Sequence, residues 1–313
     1  MKPAGSCSKR CRIQRSITVK KLASLLIASS LAALALPAAA ANDKRDQGPR
    51  TACNNDDRQG GPLLVVGLTA DMQLVCFREK RPENARAIGS ISGLMRGDSL
   101  VGIDFRVQDK SLYGVSRSGG IYKIDLMSAA ATKVGNLSVA LEGTSFGVDF
   151  NPAADRLRIV SDTGQNLRHN VNAGGTTLVD DPLDYPPATP VNAIGPTATM
   201  VTGSAYTNND LSATTATTLY ALDTMLDQVA LQSPPNDGTL AATGKLGIDS
   251  GPETGFDIYS SARSGVQALA SIAVAEGKSS LYSVDLPTGK ATLRGSFPAQ
   301  YRVIGIAIPL DQD

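Results

Sequence analysis

The chain reads as all-β, and a short phrase that recurs along it is the first reason. Gly102-Ile-Asp-Phe105, Gly147-Val-Asp-Phe150, Gly203-Ser-Ala-Tyr206, Gly255-Phe-Asp-Ile258 and Gly305-Ile-Ala-Ile308 share the pattern Gly-x-(Asp/Ala)-(large apolar). Their glycines stand 45, 56, 52 and 50 residues apart, a period that marks stacked units of a few strands each. The second reason is what a unit contains: the phrase, then three more β-like runs separated by turn residues. The third lies at the ends. The first unit lacks a leading strand, and the chain finishes on a leading strand with nothing after it. Four strands per unit, five units and complementary ends predict a five-bladed β-propeller closed by the C-terminal strand, with no sheet edge left open at the join. A β-helix needs no such pair of ends, and its repeats are shorter, roughly 20–29 residues.

Residues 1–41 read as a signal peptide. Lys2, Lys9, Arg10, Arg12, Arg15, Lys20 and Lys21 form a basic n-region, and Leu22 to Leu36 an apolar h-region. Pro37 and Ala38 to Ala41 then satisfy the small-residue cleavage rule before Asn42. No twin arginine precedes the apolar stretch, so the general secretory route is expected. Export makes the protein periplasmic or extracellular. Cleavage also changes its charge. Seven of the 30 Lys+Arg leave, and the remaining 272 residues carry 23 basic against 29 acidic groups, a net of −6. That balance argues against non-specific binding to nucleic acid or anionic membranes. No apolar stretch long enough to span a bilayer follows the signal peptide, and a monomer is expected.

Two of the four cysteines, Cys53 and Cys76, survive cleavage and meet an oxidising compartment. A metal centre needs more Cys or His ligands than His169 provides, so a Cys53–Cys76 disulfide is expected, worth about 3 kcal/mol in the chain-entropy model. Residues 42–62 are polar and Gly-rich and read as a flexible lead-in. The propeller domain then spans residues 63–309, with 310–313 as a tail.

Within it the first unit offers Leu63 to Thr69, Met72 to Glu79 and Arg86 to Ile91. The second offers Gly102 to Val107, Ser111 to Val115, Gly120 to Leu126 and Thr132 to Leu137, joined by turns suited to tight hairpins. The last full unit repeats the plan at Gly255 to Tyr259, Gln267 to Val274, Ser280 to Leu286 and Ala291 to Phe297, and Val303 to Pro309 is the orphan leading strand. Ile121-Tyr-Lys-Ile-Asp125, Leu219-Tyr-Ala-Leu-Asp223 and Leu281-Tyr-Ser-Val-Asp285 echo one another. Each aspartate ends a strand before a turn, where its side chain can bond the backbone.

Several phrases, Val101-Gly-Ile-Asp-Phe105, Phe146-Gly-Val-Asp-Phe-Asn-Pro152, Ala205-Tyr-Thr-Asn208, Thr254-Gly-Phe-Asp-Ile258 and above all residues 155–168 (DRLRIVSDTGQNLR), carry a family likeness. Over roughly residues 63–309 the chain resembles the bacterial family catalogued as domain of unknown function 4394. The resemblance implies an exported repeat protein and brings no activity, substrate or catalytic residue.

Candidate chemistry is therefore read from the residues. Asp104, Asp149 and Asp257 hold equivalent places in three leading strands, with Ala205 and Ala307 in the other two. Leading strands circle the channel, so three carboxylates could converge on a hard cation such as Ca²⁺, or each could bond backbone amides at a blade junction. In the third blade Arg156, Arg158 and Asp162 alternate along one strand face, with Asn166 and Arg168 one turn later. With Asp149 they form the candidate ligand-binding set, against the alternative of a structural inter-blade network. Gly143-Thr-Ser145-Phe-Gly147 matches the Gly-x-Ser-x-Gly pattern but runs into a repeat strand, where an elbow nucleophile has no context. One histidine, no metal motif and no glutamate pair in the repeats favour a non-catalytic module that binds a small molecule, glycan or envelope protein. The alternative is a Ca²⁺-dependent hydrolase, a lactonase or esterase working at the channel.

Overall fold

The computed structural model describes residues 61–186, 195–208, 210–212, 215–274 and 278–312. The expected signal peptide and Cys53 lie outside the described residues. Among those residues twenty strands form five four-stranded antiparallel sheets, the five blades of a propeller arrangement. Blade 1 contains β1 (Leu64–Thr69), β2 (Gln73–Arg78) and β3 (Arg81–Ser90), with β20 (Val303–Ala307) beside β1. Blade 2 is β4 (Leu100–Arg106), β5 (Ser111–Ser116), β6 (Gly120–Ile124) and β7 (Ala131–Asn136). Blade 3 is β8 (Phe146–Asn151), β9 (Arg156–Ser161), β10 (Asn166–His169) and β11 (Thr177–Val179). Blade 4 is β12 (Val201–Tyr206), β13 (Leu219–Asp223), β14 (Gln228–Gln232) and β15 (Leu240–Lys245). Blade 5 is β16 (Thr254–Ser261), β17 (Gly265–Val274), β18 (Lys278–Val284) and β19 (Ala291–Ser296). One 3-10 turn, Pro235–Asp237, follows β14.

Burial grades from the axis outward. β8 and β12 are buried almost throughout, because neighbouring blades cover both their faces, and apart from Asp149 and Asn151 their residues are apolar, small or aromatic. The rim strands β7, β15 and β19 are mostly exposed and carry threonine, lysine, arginine and glycine. The expected turn aspartates do bond backbone. Asp125 accepts from the amides of Met127 and Ser128 at 3.0 and 2.8 Å, Asp223 from Met225 and Leu226, and Asp285 from Thr288. Their phrase is a device for ending a strand rather than a register mark. Leu219–Asp223 is the second strand of its blade, whereas Asp125 and Asp285 follow third strands.

The core lies between blades. Val66, Leu68 and Leu74 of blade 1 pack on Ile103, Leu112 and Tyr122 of blade 2. On the other side Phe77 meets Phe297 edge to face with ring centroids 4.9 Å apart. The apolar cluster at blades 3 and 4 is the smallest and is built partly from Ala198, Ala221 and Ala230. Polar groups hold that junction instead, as described below.

The strand β20 pairs antiparallel with β1, Val66 opposite Ala307, Gly67 opposite Ile306 and Leu68 opposite Gly305. Beyond its last residue Gln312 extends the pairing with its side chain. Leu64 donates its amide to Gln312 Oε1 at 2.7 Å, and Gln312 Nε2 donates to the Leu64 carbonyl at 3.0 Å. A carboxamide presents one acceptor and one donor side by side, so it stands in for one more rung of the ladder.

Candidate functional site

The inner strands follow one another round the axis as β20, β4, β8, β12 and β16, and β16 packs back on β20. At four of the five repeated glycines, Gly102, Gly147, Gly203 and Gly255, the inner strands approach too closely for a side chain, whereas Gly305 has room for one. A Cβ on Gly147 would lie 2.6 Å from the Ser204 amide nitrogen, and one on Gly255 2.6 Å from Gly305 Cα. Three successive rings of residues line what space remains. The first holds Val101, Phe146, Thr202, Thr254 and Ile304, the second is the five glycines, and the third holds Ile103, Val148, Ser204, Phe256 and Ile306. The void between them is about 10 Å³. That is room for about one water molecule. Two hydroxyls on this wall, Thr202 Oγ1 and Ser204 Oγ, are buried and have no hydrogen-bond partner.

The next ring is Asp104, Asp149, Ala205, Asp257 and Ala307, and its three aspartates converge. One carboxylate oxygen from each lies within 4.8 Å of the other two, and all three residues are buried. Each also ties its blade to the next. Phe150 donates its amide to Asp104 Oδ2 at 2.7 Å, Tyr206 to Asp149 Oδ1 at 3.0 Å, and Ile308 to Asp257 Oδ2 at 2.5 Å. Geometry thus combines both sequence readings, a convergent cluster and a set of junction bonds. Its electrostatics are tense. Burial holds Asp104 and Asp149 well above the usual carboxylate range, with Asp257 repelling Asp104 and both repelling Asp149. Burial also pushes Asp257 up to about 7.

The blade-3 residues do not gather at one point. Arg158 is buried and its guanidinium reaches Asp180 at 2.6 Å, Asn166 at 2.7 Å and Asn236 of blade 4 at 2.8 Å. Arg168 joins it on Asp180 at 2.8 Å. Asp180 and Asn236, which the sequence reading did not single out, complete the network. Arg156 stays in its own turn on the carbonyls of Ala154 and Asp155, and Asp162 caps the Thr144 amide at 2.9 Å. Arg156 opens β9 and Asp162 follows its last residue, so the two stand about 20 Å apart at roughly 3.3 Å per residue. Asp149 turns to the axis. The lone histidine, His169, is buried with Nδ1 3.0 Å from Thr177 Oγ1.

A second concavity is an open groove of about 370 Å³ on blade 2. Leu112, Ile124 and Leu126 line it together with Lys110, Lys123 and Thr132. The two lysines are partly exposed and already paired, Lys110 with Asp311 at 2.6 Å and Lys123 with Asp109 at 3.1 Å. Among the described residues no helix is long and apolar enough to cross a membrane.

A family profile described as "Domain of unknown function (DUF4394)" matches residues 73–307. No curated protein matches the chain. Among solved structures it is similar to an auxiliary nutrient binding protein from Bacteroides ovatus, at 12% identity and TM-score 0.39, over 66% of this chain and 55% of that one. It is also similar to a protein of unknown function from Bacteroides thetaiotaomicron, at 13% identity and TM-score 0.41, over 77% of this chain and 60% of that one. A chain of a Mitotic Checkpoint Complex structure matches at 14% identity and TM-score 0.37, over 91% and 93% of the two chains. The chain spans less than two thirds of the length of the first two.

Proposed function

The chain belongs to this family, which carries no assigned activity, and from that premise we propose that it is an exported, non-catalytic propeller serving as a binding or interaction module. The carrying observation is the packed axis. Asp104, Asp149 and Asp257 are only 6%, 3% and 3% exposed, and the void on the ring adjoining them is about 10 Å³, too little for an ester or lactone. Each of those carboxylates also bonds an amide of the next blade. Binding therefore falls to the outer surface, where the groove of blade 2 offers an apolar floor and a charged rim to a small molecule, a glycan or an envelope component.

Export rests on the basic and apolar stretches of residues 1–41 and on the acidic balance after them. With it goes a Cys53–Cys76 bridge, which would tie the lead-in to the buried Cys76 of β2. Pairing of β20 with β1 supports closure of the ring by the C-terminal strand.

The test is a thermal-shift screen of the purified protein against soluble oligosaccharides and organic anions, run beside ester and lactone hydrolysis assays in Ca²⁺. A ligand whose stabilisation disappears in Lys123→Glu, without turnover, supports the proposal. Hydrolysis that needs Ca²⁺ and is lost in Asp149→Asn overturns it in favour of the hydrolase.

A further inference from the structure

We propose that the propeller axis binds one Ca²⁺-like hard divalent cation, held by Asp104, Asp149 and Asp257 at the end of the axial cavity that the unpartnered Ser204 hydroxyl lines. Two independent observations meet there. The first is the convergence of three carboxylates drawn from β4, β8 and β16. The second is on the adjoining ring. Ser204 is 1% exposed, it lines the axial void, and its Oγ has no partner. A buried hydroxyl without a partner costs about 1–3 kcal/mol, so its persistence beside the acidic ring points to a guest that the hydroxyl reaches directly or through a water.

The sizes agree. Three oxygens within 4.8 Å of one another surround a point no more than ~2.8 Å from each, and a slight inward turn of the side chains gives the 2.3–2.6 Å of Ca²⁺–oxygen bonds. Mg²⁺ demands near-ideal octahedral bonds of about 2.0–2.1 Å and gives up its waters reluctantly, which suits a buried ring of three carboxylates less well than Ca²⁺ does. Among the described residues no ion pair neutralises the cluster. Arg158 stands opposite Asp149 in register, yet its guanidinium faces away to Asp180, Asn166 and Asn236. The cation would sit where three blades meet, so it would act as a hub for the ring rather than as a reaction centre.

The rival state is a cluster that shares protons and holds no metal, and one experiment separates them. The chelator-treated protein at about pH 7.5 is titrated calorimetrically with CaCl₂ and, separately, melted with and without about 10 mM CaCl₂ or MgCl₂. The expected results are one Ca²⁺ per chain and a melting temperature raised by about 3–10 °C in Ca²⁺ but less in Mg²⁺. Asp149→Asn keeps an oxygen for the Tyr206 amide and removes the charge, so it should fold and lose the Ca²⁺ response; Asp257→Asn keeps one oxygen for the Ile308 amide, gives up the second bond, to the Ile258 amide, and should lose the response too. No Ca²⁺ heat and no shift in the unaltered protein would overturn the proposal whether or not the variants fold. So would a shift that persists in both variants.

Discussion

Replacing Gly255 and Gly305 by alanine, one at a time, tests the packed axis with its own control. Both glycines belong to the same repeated phrase, and neither has a positive φ, so both can accept alanine as far as the backbone is concerned. Their surroundings differ. A Cβ on Gly255 would meet Gly305 Cα and Ile306 N at 2.6 Å, and these are backbone atoms that cannot rotate aside. A Cβ on Gly305 would meet nothing nearer than Leu68 Cβ at 3.7 Å, an ordinary contact. The first substitution must part β16 from β20 by most of an ångström, through an axis with almost no void to absorb the shift. Overpacking of that kind costs about 1–3 kcal/mol, which for a domain of this size lowers the melting temperature by roughly 2–12 °C. The second restricts the unfolded chain at no steric cost and should raise stability by about 0.4–1 kcal/mol, or ~1–4 °C. Scanning calorimetry of the two variants against the parent decides. Equal effects, or an unperturbed Gly255→Ala, would refute the assignment of the repeated glycine to inter-blade clearance.

Four further outcomes are expected. Asp180→Leu strands the buried Arg158 charge, and breaking a buried pair should cost about 3–5 kcal/mol in urea unfolding; a loss below about 1 kcal/mol would show that Arg158 is neutralised elsewhere. Gln312→Ala removes two bonds to Leu64 and should cost about 1–2 kcal/mol, while deletion of residues 301–313 should abolish cooperative unfolding altogether; unchanged melting of the deletion would refute closure of the ring by β20. In chelator, Asp257 with its carboxyl raised to about 7 makes the folded state bind more protons than the unfolded one, so stability is fully present below the ordinary carboxylate range and falls as pH rises through about 7. Urea midpoints at graded pH should show that decline, and Asp257→Asn should make it shallower while buried Asp104 and Asp149 keep the rest; a midpoint that climbs over the same span contradicts the sign. Non-reducing mass spectrometry should find one Cys53–Cys76 bridge, and two freely alkylated thiols in protein from its native compartment would exclude it.

The fold was legible because its repeat is written in residues with a physical duty. Glycine recurs where inner strands crowd, and aspartate recurs where a strand ends or a blade needs an acceptor for its neighbour's amide. The convergence of Asp104, Asp149 and Asp257 could be read from equivalent positions in the phrase, since equivalent places on inner strands share one level of the axis. The near-absence of axial space could have been read too, because five glycines at one level mean that the inner strands crowd there. What could not be read is pairing between distant loops. Arg158 takes Asn236 from a turn 78 residues away, and nothing in either local sequence names the other. Asp180 was more accessible, as two arginines on adjacent strands imply a carboxylate beside them. Period-two alternation grouped Arg156 with Asp162, but a shared face says nothing about distance along the strand, and Asp162 lies past the end of β9. Gln312 was passed over as tail because a side chain that imitates backbone leaves no pattern.

The bond from Gln312 to Leu64 joins residues separated by 248 positions, and this fixes a timetable. A chain emerging from a ribosome or a secretion channel makes β1 first and β20 last. Until then blade 1 is a three-stranded sheet whose inner edge has no partner, and bringing the two ends together costs about 5 kcal/mol of loop entropy. Blades 2 to 5, each built from consecutive strands, face no such wait. The unfinished blade is therefore the vulnerable one during biogenesis, open to pairing with a neighbouring chain. A circular permutant that fuses residue 312 to residue 63 and opens the chain between β3 and β4 would turn blade 1 into a consecutive unit. Such a molecule would keep its strand neighbours while shortening the interval in which that edge is exposed.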